Sequence, residues 1–148
     1  MGRPGAILFF SFALLSAAPA NQEQVLRDAI TAGDLPGAQA AILAGADLTA
    51  RDFLGRTPLI LASAFAAGPM VRLIAEKNFY AMDLGDGAGQ TALMMACVFG
   101  NTEAVKVLLE LKVEVHKTSR YGSTALLFAK RYGREEIQAL LQAADAAK

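Results

Sequence analysis

This chain of 148 residues carries little with which to do chemistry: one cysteine, Cys97, and one histidine, His116. A lone cysteine excludes an internal disulfide, and one imidazole with one thiol cannot assemble a zinc site. A nucleophilic triad or an imidazole acid–base pair would have to use His116, in Glu114-Val115-His116-Lys117, a segment that reads as a solvated turn. Cys97 falls inside an apolar run and reads as a small buried residue rather than a reactive thiol. An excess of charge is missing as well. The 14 basic and 14 acidic side chains cancel, so no field of one sign draws in a phosphate backbone, and nucleic acid is not an expected ligand. Asn21, Asn78 and Asn101 are followed two positions on by Glu23, Tyr80 and Glu103, so no Asn-x-Ser/Thr acceptor occurs. Neither a metal nor a cofactor is expected.

The hydrophobic fraction of 54% against 19% charged residues excludes a disordered tail, and the length fits a single domain. Part of that apolar total belongs to residues 1–20, which read as a secretory signal. Arg3 supplies a basic start, Ile7 to Leu15 is apolar except for Ser11, and Ala18-Pro19-Ala20 has the small-x-small form of a cleavage site. The run is too short for a spanning helix, which needs about 20 apolar residues, and polar Asn21, Gln22, Glu23 and Gln24 follow it. An uncleaved anchor or a buried first helix is the competing reading. Cleavage after Ala20 removes Arg3 and leaves the mature chain one charge negative. No cysteine follows the run to carry a lipid, so the expectation is an exported, periplasmic monomer without a stable membrane anchor.

Three copies of one phrase organise the remainder: Gly55-Arg56-Thr57-Pro58-Leu59, Gly89-Gln90-Thr91-Ala92-Leu93 and Gly122-Ser123-Thr124-Ala125-Leu126. Their glycines lie 34 and 33 residues apart, a period that marks a stacked solenoid. After each threonine comes an apolar run of helical length, Leu59 to Phe65, Leu93 to Phe99 and Leu126 to Tyr132. Gly100 and Gly133 stop two of them. A second amphipathic run follows in each copy: Met70 to Ala75, Ala104 to Leu109 and Glu136 to Leu141. Gly68-Pro69 reads as a break between the helices of the second unit, and an extra residue between Asn78 and Gly89 lengthens its spacing. Thr57, Thr91 and Thr124 are placed to cap the first helices, and small Ala62, Ala96 and Ala129 to let neighbouring helices approach. Leu73, Ile74, Val107, Leu108, Leu140 and Leu141 are the expected core between units.

Asp52-Phe53-Leu54-Gly55-Arg56-Thr57-Pro58-Leu59 resembles the opening D-x-x-G-x-T-P-L-H of the ankyrin repeat. The third copy keeps Asp86, Gly89 and Thr91, and the fourth replaces the aspartate by Ser119. The first unit keeps only the second half of the pattern, in Ala29 to Leu35 and Leu43 to Leu48. Ile60, Met94 and Leu127 stand where the family has His, so the helix starts must rely on the threonine hydroxyls and on packing. The resemblance implies an all-α solenoid of four helix-turn-helix repeats with short hairpin-like turns, in units of about residues 21–50, 51–84, 85–117 and 118–148. Polar residues on the first and last helices suit terminal caps.

It further implies a non-enzymatic protein–protein interaction module that meets a folded partner with its turn tips and first helices, on one concave face. At the tips this places Phe53, Leu54 and Arg56, then Arg120 and Tyr121. Before the inter-helix turns it places Phe65, Phe99, Arg131 and Tyr132, where packing of the rings on the next unit is an equal reading. Exported ankyrin-like proteins include factors that support stress-defence enzymes such as periplasmic catalase and immunity proteins that neutralise toxins; both remain open. The alternative is a small exported enzyme or hydrolase using His116, Cys97 or a carboxylate such as Asp83 or Asp86. The segment Asp83 to Gly89 fits neither a twelve-residue calcium loop nor a Walker sequence and reads as a turn. Mass analysis of the exported protein is expected to find Asn21 as its first residue; a chain retaining Arg3 would replace the secretory reading with that of an anchor.

Overall fold

A computed structural model describes residues 21–147; the proposed signal, residues 1–20, lies outside the described residues. Among the described residues eight α-helices follow one another: α1 (Gln22–Ala32), α2 (Leu35–Leu43), α3 (Pro58–Phe65), α4 (Gly68–Lys77), α5 (Ala92–Phe99), α6 (Thr102–Glu110), α7 (Ala125–Arg131) and α8 (Glu135–Ala146). A single 3₁₀ turn, Phe79–Ala81, follows α4 and occupies part of the longer spacing of the second unit.

The repeated threonines start the first helix of each later pair. Thr57, Thr91 and Thr124 are extended, and their hydroxyls accept from the amides of Ile60 (3.3 Å), Met94 (3.4 Å) and Leu127 (3.3 Å). At Thr91 there is a further partner that the sequence does not announce: its own amide points at the Met94 thioether, 3.5 Å away. The thioether is a weak acceptor, and it stands at the position where the resemblance implies a histidine. Pro58 opens α3 where a missing N–H costs nothing. Gly68 and Pro69 do not separate the helices of the second unit, as the sequence implies. They form the first turn of α4, because Ala66 and Ala67 have already turned the chain through extended backbone.

The residue before each second helix recurs in register, and its chemistry differs from unit to unit. Asp34 caps α2 through the Gly37 amide, and Asn101 caps α6 through that of Ala104. Asn101 also reaches back with Nδ2 to the carbonyls of Ser63 (3.1 Å) and Ala66 (2.8 Å) at the end of α3. Arg134 makes no cap and instead donates from Nη2 to the Val98 carbonyl of α5 (3.0 Å). One place in the repeat thus serves its own helix at Asp34, the preceding unit at Arg134 and both at Asn101.

First helices pack on first helices in the order α1, α3, α5, α7, and second helices in the order α2, α4, α6, α8. Between them runs one apolar core from Leu26 and Ile30 through Leu59, Val71 and Ile74 to Val105, Leu108, Ile137 and Leu141. Ala62, Ala96 and Ala129 are wholly buried at the crossings. Leu73 and Leu140, expected in the core, only flank it.

Each turn is closed by its first residue. Asp52 Oδ1 accepts from the amides of Leu54 and Arg56, and Asp86 Oδ1 from those of Ala88 and Gln90, all at 2.9 Å. Ser119, with a shorter side chain, accepts only from Ser123. Successive turns are tied to each other by backbone bonds from Gly87 N–H to the Leu54 carbonyl (3.1 Å) and from Arg120 N–H to that of Ala88 (2.9 Å). No strand forms among the described residues, so these remain turns.

Gly55 and Gly122 both have φ of 77°, but a Cβ on Gly55 would lie 2.6 Å from the Gly87 nitrogen, whereas one on Gly122 meets nothing within 4 Å. Gly122→Ala is expected to cost roughly 1 kcal/mol of backbone strain in urea unfolding. Gly55→Ala should cost clearly more, because it also breaks the bond between turns; equal losses would show that turn stacking contributes nothing.

Asp52 allows a pH test. Burial works to raise its pKa, but the Arg56 and Leu54 amides and the Arg56 guanidinium outweigh it and hold the carboxyl below the ordinary 3.8. A lowered folded value means that the contribution to stability is full above 3.8 and is lost as pH falls through the folded value. The stability gap between the parent and Asp52→Asn is therefore expected to hold at neutral pH and shrink below pH 3.8, checked by urea unfolding across that range.

Candidate functional site

The residues expected to meet a partner fall into two rows rather than one strip. Phe53, Leu54, Arg120 and Tyr121 sit on the turn tips, with Phe53 92% and Tyr121 80% exposed. Phe65, Phe99 and Tyr132 lie at the opposite ends of α3, α5 and α7, and Arg131 is the last residue of α7. An eight-residue helix separates the rows by about 12 Å. Leu59 to Ala64 fill that distance with buried side chains.

In the second row, Phe65 and Phe99 make an edge-to-face contact, with ring centres 4.7 Å apart and planes at 61°. This is the geometry that the quadrupoles of two rings favour. Both rings are nevertheless about half exposed, so contact with the next unit and access to solvent coexist at these positions.

The arginines differ sharply. Arg56 Nε lies 2.7 Å from Asp52 Oδ2, and its charge is neutralised inside its own turn. Arg120 and Arg131 are exposed and make no ion pair among the described residues. Of these three arginines, the two that offer their charge outward belong to the fourth unit. Sequence reasoning misses a third exposed apolar group, Phe79 and Tyr80 on the 3₁₀ turn, where Tyr80 is 99% exposed. The only mark of it in the sequence is the extra residue of that unit.

The residues considered for catalysis are engaged otherwise. His116 Nε2 lies 2.8 Å from Asp145 Oδ1 on α8, so the histidine is half exposed but paired, more constrained than a solvated turn residue. Cys97 is fully buried, and burial pushes its pKa up to about 12, which leaves a thiol and not the nucleophilic thiolate. Asp86 holds its own turn. Asp83 accepts the Glu114 amide on its carboxylate and Lys117 Nζ on its carbonyl. No group of three potential metal ligands comes together among the described residues, and no helix among them is long and apolar enough to cross a membrane.

Comparison with known proteins agrees with this architecture. The family model "Ankyrin repeats (3 copies)" matches residues 26–120 and again 79–148. The chain is 33% identical over 114 residues to the "Probable E3 ubiquitin-protein ligase XBOS32" of Oryza sativa subsp. japonica, covering 75% of this chain and 23% of that protein. It is 43% identical over 72 residues to mouse "Ankyrin repeat and SAM domain-containing protein 6", 48% of this chain and 8% of that one. With mouse "Ankyrin repeat domain-containing protein 63" the identity is 32% over 87 residues, 56% of this chain and 22% of the relative. The chain thus spans less than a quarter of the length of each. Repeats of this kind are generally protein–protein interaction modules, and the chain belongs to the ankyrin repeat family.

Proposed function

We propose that this protein is a non-enzymatic docking module, exported to the periplasm, that holds a folded protein partner against its turn tips and first-helix ends. The observation that carries the reading is the exposure of Phe53 and Tyr121 at the tips, on turns that backbone bonds hold in line. Large apolar side chains kept in water by a rigid framework are costly to leave uncovered, and aromatic and arginine residues dominate binding hot spots. The exposed Arg120 beside Tyr121 adds a charged rim. Export rests on the pattern of Arg3, the apolar run and Ala18-Pro19-Ala20, and the partner classes it favours are a stress-defence enzyme or a toxin. The module acts as a monomer and takes no cofactor, nucleic acid or membrane anchor in this reading. Ligase activity in the rice relative's name belongs to a protein more than four times longer than the matched stretch and does not come across.

Crosslinking in periplasmic extract identifies the partner, and the genes beside this one narrow the candidates. With the partner in hand, Phe53→Ala and Tyr121→Ala are each expected to weaken the complex by about 1–2 kcal/mol in a titration, with the thermal midpoint of the free protein unchanged. Unaltered affinity in both variants would overturn the reading, and loss of folding would assign these rings to the core instead.

A further inference from the structure

Between α1 and the first turn lies an open groove of about 430 Å³, lined by Arg27 and Asp28 from the helix and by Arg51, Asp52, Phe53 and Arg56 from the turn. Most of this charge is already engaged. Arg56 is paired with Asp52, Arg51 Nη1 donates to the Gly55 and Gly85 carbonyls, and Asp28 Oδ1 accepts from Gln24 Nε2 at 2.8 Å. Arg27 is the exception. Its Nη1 is buried without a hydrogen-bond partner, and no carboxylate is within ion-pair distance of it among the described residues.

The position makes this unusual. Arg27 stands 33 residues before Ile60, in the register that the two middle units bury as Ile60 and Met94 and the last unit leaves half exposed as Leu127. An apolar side chain would serve packing there, whereas a guanidinium pays desolvation at Nη1 and gains no bond in return. A donor that forfeits nothing by turning is able to swing toward an acceptor arriving in the groove it lines. A planar guanidinium is suited to receive a carboxylate on two parallel N–H bonds.

Charge favours one class of acceptor. While Glu23, one turn before Arg27 on α1, lies within reach of that guanidinium's field but not of an ion pair, among the lining residues three arginines face two aspartates, one positive charge in excess. That matches a single carboxylate, while a phosphate dianion would bring a second negative charge against Asp28 and Asp52. Phe53, on the rim, offers an apolar surface for the aliphatic stem of such a side chain.

We propose that this groove receives a side-chain carboxylate from an acidic segment of the protein partner, with Arg27 as the principal contact. The proposal rests on the docking reading above and adds the chemistry of the segment that is recognised.

The probe is a C-terminally amidated peptide Ala-Leu-Glu-Leu-Ala with an uncharged fluorophore on its N-terminus, compared by polarisation with versions carrying Gln or phosphoserine at the centre, on the full chain. The Glu peptide is expected to bind, the Gln peptide about tenfold more weakly, and the phosphoserine peptide no more tightly than Glu. Arg27→Gln should lower affinity for the Glu peptide about tenfold with an unchanged or higher thermal midpoint, since an unsatisfied group is removed. Asp28→Asn should tighten binding. Arg27→Lys, which keeps the charge but loses the fork, should fall between parent and Arg27→Gln, and supplies the reading if Arg27→Gln does not fold. The proposal is overturned if the Glu peptide does not bind, if Gln binds equally, if phosphoserine binds more tightly, or if the folded Arg27 variants bind like the parent. Tyr121 lies outside the groove, so Tyr121→Ala tests the docking reading without touching this one.

Discussion

Close approach of neighbouring first helices is the constraint on which the remaining structure depends. Ala62, Ala96 and Ala129 are wholly buried at equivalent places in α3, α5 and α7, and Ala29 takes the same register in α1. A larger side chain at any of them would push two units apart, and packing at the density of a crystal leaves no slack to absorb it. Because one helix pair cannot bury its own apolar face, that spacing is also what gives each pair a core.

The same spacing sets the distance between turns. Leu54 and Gly87, and then Ala88 and Arg120, come within hydrogen-bond reach only because the helices beneath them are close. Gly55 and Gly89 meet the backbone of the following turn so tightly that neither has room for a side chain. Tips that are fixed in this way hold Phe53 and Tyr121 out in water on a rigid support, where the entropy of ordering them for a partner has been lost in advance. The chain's polar bridges repeat that theme on the other side of the helices. Asn101 and Arg134 each spend a side chain on the carbonyls of the unit before them, at the ends of α3 and α5.

Much of this architecture was legible in residues 51–141, since each recurring type answers a local need: threonine to cap, glycine to turn, alanine to approach. Signals failed where one residue could satisfy two geometries. Gly68-Pro69 reads as a break, yet proline is equally at home in the first turn of a helix, and the extended Ala66 and Ala67 decide between the two. Met94 looks like loss of a polar capping partner, but its thioether is within reach of the Thr91 amide. Exposure of the turn tips was readable because a turn has no core to enter. The ion pair of Arg56 was not readable, since a basic residue four places after Asp52 is as well suited to closing the turn as to facing a partner.

Period and composition were enough to determine that this chain repeats and stacks as helix pairs. Local propensity and a 33- or 34-residue spacing carry that information without reference to contacts. Only the tertiary structure decided which polar side chains are engaged. The pairing of Arg56 with Asp52 and of His116 with Asp145, the depth of Cys97 and the unpartnered nitrogen of Arg27 all depend on neighbours that packing brings together. Identical arginines in a sequence differ by what surrounds them, and in a stack the surroundings are supplied by the adjacent unit.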